Sequence, residues 1–338
     1  MKAVGLYRYL PIDHPEALLD LELPAPVPGP QDLLVRVEAV GVNPIDYKVR
    51  APKDKQETTP RVLGWDAAGV VEQVGAEVTL FRPGDRVYYA GDITRAGSNA
   101  QLQLVDQRIA GAMPKTLDFA RAAALPLTTI TAWETFFERL GIDADGAHAG
   151  QTLLIIGGAG GVGSIGIQLA KRLAGLTVIT TASRPESVAW CRELGADHVI
   201  DHRGELVAQL REIGLKHVDY IACFNDTDRH FRAMAELIRP QGKIASIVEN
   251  VAPLPIELLK SKSATFVWEM MFTRSMFATP DMIEQHRLLT RVGQLIDDGR
   301  LRTTLAEVMG PINAANLRRA HAQLEDGHTI GKLVLQGF

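Results

Sequence analysis

The sequence predicts an α/β protein with two domains, one rich in β-structure and one built on a doubly wound parallel sheet. Its 338 residues exceed what one ordinary hydrophobic core organises, so two domains are expected. Up to about Leu127 the chain carries short apolar alternations between Gly and Pro turns, with no long helical period. From Leu153 onward short apolar runs alternate with helical spacings, which is typical of a parallel sheet with right-handed crossovers.

Short strands dominate the first part of the chain. The predicted ones are Leu33–Val40, Ala68–Val74 and Arg86–Tyr89. Turn signals separate them, namely Pro28-Gly29-Pro30 and Pro83-Gly84-Asp85. The stretch 120–140 then reads as helix, turn and helix, and Asp118 is placed to cap the first of these helices.

A glycine-rich loop opens the second part of the chain. Leu153–Ile156 is a wholly apolar run of the kind that forms a strand buried on both faces, and helical spacing follows it directly. Between strand and helix, Gly158, Gly160 and Gly163 fit G-x-G-x-x-G. In this motif the first glycine permits a tight turn, the second lets a pyrophosphate reach the backbone, and the third lets helix and strand pack closely. We therefore expect the loop to bind a dinucleotide through Gly158, Ala159, Gly160, Gly161, Val162 and Gly163.

The remaining elements of this part alternate regularly. The predicted strands are Thr177–Thr181, His198–Ile200, Val218–Cys223 and Lys243–Val248. The predicted helices are Glu186–Leu194, Glu205–Ile213 and Arg229–Ile238. In such a sheet the ligand lies at the carboxyl ends of the strands.

The end of the second of these strands indicates which dinucleotide is bound. An NAD site usually offers an acidic residue about 20 positions beyond the glycine loop, to hold the ribose hydroxyls. Here Ser183 and Arg184 stand in that place, and both can hydrogen bond a 2′-phosphate. The sequence therefore favours NADPH. The alternative is that Arg184 is a solvated residue before the helix start at Pro185, with Ser183 as the cap.

Three stretches before the glycine loop carry a family resemblance: GVNPIDYKVR (Gly41–Arg50), LGWDAAGVVEQVG (Leu63–Gly75) and the FRPGDRV turn. In this order they resemble the medium-chain dehydrogenase/reductase superfamily, in its zinc-independent quinone oxidoreductase-like branch, which includes the zinc-type alcohol dehydrogenase-like proteins. Later motifs extend the resemblance to nearly the whole chain: Pro126–Phe137, Leu194–Asp201 and Gly331–Leu335. It implies a GroES-like, β-rich catalytic domain at 1–126 and 265–338 and a Rossmann NADPH-binding domain at 127–264.

Zinc ligands are missing from the motifs that would carry them. Zinc alcohol dehydrogenases have a cysteine where this chain has Asn43 and a histidine where it has Trp65, and neither replacement supplies a thiolate or an imidazole. The family's four-cysteine structural zinc lobe is also absent, since the chain has only Cys191 and Cys223. We therefore expect no metal.

The resemblance also suggests residues that border the cofactor. Thr128 and Thr131 are candidates to hydrogen bond the nicotinamide or the substrate, although their hydroxyls could instead satisfy helix carbonyls. Phe224 and Asn225 are expected to lie near the nicotinamide ribose, and a simple strand-end turn explains them almost as well. Lys332 either reaches a cofactor phosphate or faces solvent.

Without a metal, hydride transfer to an already polarised acceptor is the economical chemistry. We expect a small electrophilic substrate, a quinone or an α,β-unsaturated carbonyl, because nothing replaces zinc in stabilising an alkoxide. Tyr47 and Lys48 are candidate proton donors or oxyanion partners, and Asn43 could orient the carbonyl. Quinone oxidoreductases often have tyrosine where this chain has Lys48, and neighbouring residues on a strand would face opposite ways. Asp66 is a candidate acid or a carboxylate bonded to backbone in a turn.

Two other functions stay open on the sequence alone. One is a carbonyl or enoyl reductase that acts on small aldehydes, ketones or thioesters. The other is a redox sensor that holds NADPH with little turnover, which the weakly defined acid–base residues allow.

The C-terminal third predicts partners as well as structure. The aromatic and methionine-rich run Phe266–Phe277 is expected to form a pocket wall and a homodimer interface, or else simple core. Two amphipathic helices, Pro280–Arg300 and Asn313–Glu325, lead to a closing strand at Gly331–Leu335.

The charge and hydropathy of the chain bound its partners and its location. A net charge of −4 without a basic run argues against nucleic acid as a partner. No apolar run approaches the length of a membrane span and the start carries no secretory signal, so a cytoplasmic protein is expected.

Overall fold

A computed structural model describes residues 1–338 and divides the chain into two compact units. The first unit comprises Met1–Ile130 and Phe272–Phe338, and the second comprises Thr131–Met271. The C-terminal segment therefore returns to the N-terminal unit. No helix of the chain has both the length and the apolar character that crossing a membrane requires.

The strands, in chain order, are β1 (Lys2–Tyr9), β2 (Leu19–Glu22), β3 (Asp32–Val42), β4 (Lys53–Val62), β5 (Asp66–Val74), β6 (Arg86–Tyr89), β7 (Leu102–Asp106), β8 (Ala110–Ala112), β9 (Thr152–Ile156), β10 (Thr177–Thr181), β11 (His198–Ile200), β12 (Val218–Cys223), β13 (Ile238–Ser246), β14 (Thr265–Trp268), β15 (Leu305–Val308) and β16 (Lys332–Gln336).

The α-helices are α1 (Pro44–Arg50), α2 (Phe119–Ala123), α3 (Pro126–Trp133), α4 (Gly161–Arg172), α5 (Pro185–Leu194), α6 (Leu206–Glu212), α7 (Thr227–Leu237), α8 (Thr273–Met276), α9 (Ile283–Asp297) and α10 (Ala314–Glu325). A π-helical turn, Glu134–Arg139, continues α3, and short 3-10 turns occupy Gln107–Ile109 and Ile256–Lys262.

The first unit is organised around β3, which pairs with three other strands. Its partners β5, β7 and β16 are all antiparallel to it. They belong to a seven-stranded sheet, and a three-stranded sheet β2-β1-β4 completes the unit. Gly41 lies where α2 crosses the sheet, and a Cβ there would come within 2.4 Å of the Ala123 carbonyl oxygen, so only glycine fits. Because β16 pairs with β3 beside Gly41, the C-terminal strand lies next to the start of α1.

The second unit contains one six-stranded sheet in the order β11-β10-β9-β12-β13-β14, with every neighbouring pair parallel. This is the doubly wound arrangement that the sequence predicts, with the strand before the glycine loop at its centre. The first three strands after the glycine loop have their predicted bounds, while β13 starts at Ile238 rather than at Lys243 because it extends back to pair with Val218.

The edge strand β14 ends in exposed apolar side chains. Trp268 is 43% exposed and Met270 is 44% exposed. Both belong to the aromatic and methionine-rich run for which the sequence suggests a subunit interface. The homodimer itself stays a prediction.

Candidate cofactor and active site

The turn of the glycine loop is made by Gly157, one residue before the predicted motif. Gly157 has a φ of +94°, in the left-handed region that favours glycine. Gly158 is required for another reason, because a Cβ there would lie 1.9 Å from the Thr180 hydroxyl oxygen on the next strand. The prediction that Gly158 makes the tight turn is therefore wrong. Its lack of a side chain lets the loop lie against β10.

Gly163 has the packing role that the sequence predicts, while the diphosphate contact of Gly160 stays a prediction. A Cβ on Gly163 would come within 2.3 Å of the Gly157 carbonyl oxygen, so α4 packs closely against the end of β9. A Cβ on Gly160 would meet nothing nearer than 3.7 Å. The space beside Gly160 is therefore open at the N-terminus of α4, where unpaired N–H groups and the helix dipole favour an anion. The loop residues that stay partly exposed around it are Ala159, Gly160, Gly161 and Val162.

The end of β10 holds the loop in place and presents the predicted specificity residues. The Thr181 hydroxyl accepts a hydrogen bond from the Gly157 N–H at 2.9 Å. Ser183 and Arg184 follow, both half-buried, and Arg184 Nε lies 3.5 Å from Glu186 Oε1. The N-cap of α5 is Arg184 and no side chain caps this helix, so the alternative in which Ser183 serves as the cap is wrong.

The structure places a second arginine, Arg203, beside Ser183, and the sequence-based prediction does not include it. Arg203 follows β11, the neighbouring strand, and donates a hydrogen bond from Nη2 to the Ser183 carbonyl oxygen at 2.9 Å. It also pairs with Asp201 at 2.7 Å, which lowers the pKa of that carboxyl group. Arg203 could have been identified from the sequence, because it follows a predicted strand and the carboxyl ends of parallel strands meet at one edge of the sheet.

The candidates Phe224 and Asn225 follow β12 at the same edge. The Phe224 N–H donates to the Ile156 carbonyl at 2.9 Å, and its half-buried ring lies 6.0 Å from the ring of Phe136. Asn225 is exposed, and a Cβ on Gly157 would lie 3.4 Å from the Asn225 Cβ. Both residues therefore border the glycine loop.

In the first unit, four buried polar residues form what we call the buried charge cluster: Asn43, Asp46, Asp66 and Lys332. The Lys332 side chain is 3% exposed, and its ammonium group donates three hydrogen bonds. Its acceptors are Val42 O at 2.8 Å, Asp66 Oδ2 at 3.0 Å and Asn43 Oδ1. An ammonium group has three protons, so all three are engaged.

The environment of Lys332 is therefore different from both that the sequence suggested. The alternative in which it faces solvent is wrong, because the C-terminal strand pairs with β3 and places the side chain in the interior. Its three protein acceptors also argue against a bond to a cofactor phosphate.

Asp66 joins the cluster to α3. Its Oδ2 atom accepts from Asn43 Nδ2 at 2.8 Å and from Lys332, and its Oδ1 atom accepts from the Leu127 N–H at 2.6 Å. Leu127 lies in the first turn of α3, where a carboxylate satisfies an N–H group and complements the helix dipole. Both oxygens of Asp66 are thus bonded, to a backbone N–H, to the Asn43 amide and to Lys332, which agrees with the expectation of a carboxylate bonded to backbone.

Asp46 is the member of the cluster with a raised pKa. Its Oδ2 atom accepts from the Asn43 N–H, and its Oδ1 atom has no hydrogen-bond partner. Burial is the largest cause that raises the pKa of Asp46 to about 7, while the Asn43 N–H and Lys332 act in the opposite direction.

The expected proton donors lie on a helix, not on a strand. Asn43 precedes α1, Pro44 occupies its first position, and Asp46 accepts from the Asn43 N–H. The argument that Tyr47 and Lys48 face opposite sides of a strand is therefore wrong, because they are successive residues of one helical turn. Tyr47 is half-buried, and burial raises the pKa of its hydroxyl group, with a smaller contribution from Glu325. Lys48 is exposed.

Two other predicted contacts have protein partners. Both polar atoms of the Asn43 amide are bonded, to Asp66 and to Lys332, which leaves the amide bonded within the cluster instead of presented to a substrate carbonyl. Thr128 donates to the Leu125 carbonyl at 3.1 Å, as expected when a hydroxyl satisfies a helix carbonyl. Thr131 is also buried, further along α3.

The residues at the family's zinc position do not fit zinc. The amide of Asn43 binds an ammonium group, and the Trp65 indole N–H donates to the Asp92 carbonyl at 3.2 Å. The Trp65 ring packs edge-on against Phe272. No group of three or more His, Cys, Asp or Glu side chains in the chain could hold a metal ion. The positive charge of Lys332 thus lies beside the oxygen atoms that a bound cation would need as ligands.

Comparison with known proteins agrees with this architecture. The alcohol dehydrogenase GroES-like domain matches residues 29–122, and the zinc-binding dehydrogenase domain matches residues 194–335. A zinc-type alcohol dehydrogenase-like protein of Staphylococcus aureus (strain COL) is 45% identical, with 99% of each chain covered. An NADPH-dependent alkenal/one oxidoreductase of the Arabidopsis thaliana chloroplast is 29% identical over 90% of this chain and 71% of its own.

Solved structures of related proteins have the same fold as this chain. A protein from Rhizobium etli CFN 42 that is called a zinc-dependent alcohol dehydrogenase is 53% identical, with 100% and 98% of the chains covered and a TM-score of 0.96. The quinone oxidoreductase of Escherichia coli, solved with NADPH, is 26% identical, with 99% and 100% covered and a TM-score of 0.83. The chain described here therefore belongs to the medium-chain dehydrogenase/reductase superfamily, among the zinc-type alcohol dehydrogenase-like proteins, and is an oxidoreductase of that superfamily.

Proposed function

We propose that this protein is an NADPH-dependent reductase of quinones or α,β-unsaturated carbonyl compounds that works without a metal. The observation that carries the proposal is the Lys332 ammonium group, bonded to Asn43 and Asp66 at the position where zinc enzymes hold their metal. Simple alcohols need a cation to stabilise an alkoxide, whereas conjugated acceptors are already polarised.

The glycine loop is the expected cofactor site. The open space beside Gly160, at the N-terminus of α4, suits the diphosphate of a dinucleotide. Phe224 and Asn225 border the same loop from the next strand. A reduced nicotinamide bound there supplies a hydride equivalent. The chain's own task is to fix the ring and to exclude water from it.

The proposed preference for NADPH depends on Ser183, Arg184 and Arg203. No acidic residue stands between the end of β10 and Arg184, and the two nearby carboxylates are each paired with an arginine, Glu186 with Arg184 and Asp201 with Arg203. Two guanidinium groups and a hydroxyl group can together bind a 2′-phosphate. The names of two relatives agree, since one is an NADPH-dependent oxidoreductase and the other was solved with NADPH.

Replacing Arg203 by alanine is expected to weaken NADPH binding about fivefold and to leave NADH binding unchanged within about twofold, because only NADPH carries the 2′-phosphate. Fluorescence titration of both nucleotides at low salt measures this. Arg211→Ala, which removes another exposed arginine paired with a glutamate at 2.8 Å, is the control and should leave both affinities unchanged. Equal weakening of the two nucleotides by R203A would contradict the assignment.

The product also needs a proton, and α1 offers two candidate donors. Tyr47 Oη and Lys48 Nζ are the groups on α1 outside the buried charge cluster that can hold a proton, and solvent is the alternative source.

The direct test of function compares NADPH oxidation with a quinone, a short α,β-unsaturated aldehyde and a saturated aldehyde. We expect turnover of the first two. Turnover of the saturated aldehyde alone would favour a carbonyl reductase, and no turnover with tight NADPH binding would favour a sensor.

A further inference from the structure

A buried pair of carboxyl groups lies in the second unit, one within the Pro126–Phe137 motif and the other within the aromatic and methionine-rich run Phe266–Phe277. Glu134 is fully buried on the π-helical turn, and Glu269, at 3% exposure, directly follows β14. Arg139, on the same turn as Glu134, lies between them. Its Nε atom is 2.7 Å from Glu269 Oε2, and its Nη2 atom is 4.0 Å from Glu134 Oε2.

The charges of this group balance only if the carboxyl pair holds one proton. Two carboxylates and one guanidinium would leave a net negative charge in the interior, which is costly. Arg139 lies 2.7 Å from an oxygen of Glu269 and 4.0 Å from an oxygen of Glu134, so the two buried carboxyl groups are close enough to share one proton. Burial is the largest cause that raises the pKa of Glu269 to about 9, followed by the charge of Glu134. Arg139 opposes both effects.

The π-helical turn connects this pair to the nucleotide loop. The wider turn is closed by a hydrogen bond from the Leu140 N–H to the Thr135 carbonyl at 2.9 Å. Between Glu134 and Arg139 the turn presents Phe136, which is fully buried. A Cβ on Gly166 of α4 would lie 3.1 Å from the Phe136 ring, and the same ring is 6.0 Å from that of Phe224.

Phe224 completes the connection. Its backbone and Cβ lie 3.7 Å from where a Cβ on Gly157 would be. The carboxyl pair, the π-helical turn, Phe136 and the glycine loop are thus in successive contact within one unit. A shift of the turn is transmitted through packed rings, because such packing leaves little free volume.

We propose that the proton shared by Glu134 and Glu269 positions the π-helical turn against the glycine loop, so that nucleotide affinity depends on the protonation of this pair. The proposal rests on the nucleotide site proposed above. The charged groups that face Glu269 are Glu134 and Arg139.

The direction of the pH dependence follows from the raised pKa. An acid that titrates near 9 in the folded protein and near its usual 4.5 in the unfolded chain favours folding most fully below 4.5. That contribution declines as the pH rises to about 9, and above this the pair carries two charges against one arginine. Nucleotide affinity is then expected to fall across the same alkaline step.

The test measures the NADPH dissociation constant at pH 7 and at pH 10, which bracket the titration, for the whole protein. In the wild type we expect about fivefold or greater weakening at pH 10. Glu269→Gln and Glu134→Gln each replace the shared proton by an amide N–H and should bind NADPH at pH 7 as the wild type does, with less than about twofold weakening at pH 10. Glu138→Gln, an exposed position of the same turn, is the control and should keep the wild-type pH dependence.

A second measurement covers the case in which one glutamine variant fails to fold. A protonated-carboxyl infrared band should be present in the wild type at pH 7, absent at pH 10, and missing at pH 7 from whichever glutamine variant folds. This last comparison distinguishes it from the band of Asp46, whose pKa is also raised, to about 7. A wild-type affinity that does not change with pH, an absent band, or an equal alkaline loss in both glutamine variants would overturn the proposal. Absence of NADPH binding at pH 7 in every protein would instead refute the nucleotide site, so the two failures are distinguishable.

Discussion

Replacing Lys332 by methionine is expected to lower the free energy of unfolding by about 3–5 kcal/mol, because it leaves a buried carboxylate without its counterion. Asp66 is fully buried, and Lys332 Nζ lies 3.0 Å from its Oδ2 atom. Methionine keeps most of the side-chain volume, so the loss reports on charge more than on packing. Urea denaturation at pH 7 measures the change.

Two further variants make this prediction specific. Lys48→Met removes an exposed lysine of α1 and should change stability by less than about 0.5 kcal/mol. The double variant K332M/D66N removes both charges of the pair and should recover part of the loss. A K332M protein within about 1 kcal/mol of the wild type would show that the ammonium group does not hold the buried charge cluster together.

Replacing Gly160 by alanine is expected to weaken NADPH binding about a hundredfold, a loss of roughly 2.7 kcal/mol. The added methyl group occupies the open space beside the N-terminus of α4, where a diphosphate is expected to approach the backbone. The fold should tolerate the change, since Gly160 has a φ of −70° and the nearest atom lies 3.7 Å from the new Cβ. Its stability cost should stay near 1 kcal/mol, as for other N-cap positions.

Gly163→Ala is the contrasting variant. Its Cβ would come within 2.3 Å of the Gly157 carbonyl oxygen, so we expect destabilisation of about 1–3 kcal/mol or more from overpacking. Thermal unfolding and nucleotide titration of both variants separate the effects. A Gly160→Ala protein that binds NADPH like the wild type would contradict a diphosphate site at this loop.

The sequence predicts those parts of the fold that depend on local pattern. The parallel strands of the second unit follow from short apolar runs, and the glycine motif marks the turn into α4. The role of Gly158 is different from the predicted one because contact with Thr180 on another strand, not the local turn, excludes a side chain there.

The buried charge cluster could not be predicted in the same way. Lys332 lies 289 positions from Asn43 and 266 from Asp66, and only the pairing of β16 with β3 brings them together. A lysine near the end of a chain is usually exposed, so composition alone favours the wrong environment. The carboxyl pair of Glu134 and Glu269 is equally hard to predict, since its two members are far apart in the sequence and lie on different elements.

The start of α1 could have been recognised from the sequence. Asn43 followed by Pro44, with Asp46 three positions after Asn43, is a helix N-terminus pattern of cap residue, proline at the first position and acid in the first turn. The same stretch thus carries a helix N-terminus pattern and a family motif at once.

The most direct test of the account is label transfer by a protein freed of metal by a chelator. The protein is mixed with NADPH that carries deuterium at its transferable ring position and with a short α,β-unsaturated aldehyde. We expect deuterium on the β-carbon of the saturated product, at a rate unchanged by the chelator. A product without the label, or a rate that is lost on chelation and restored by zinc, would contradict metal-free hydride transfer.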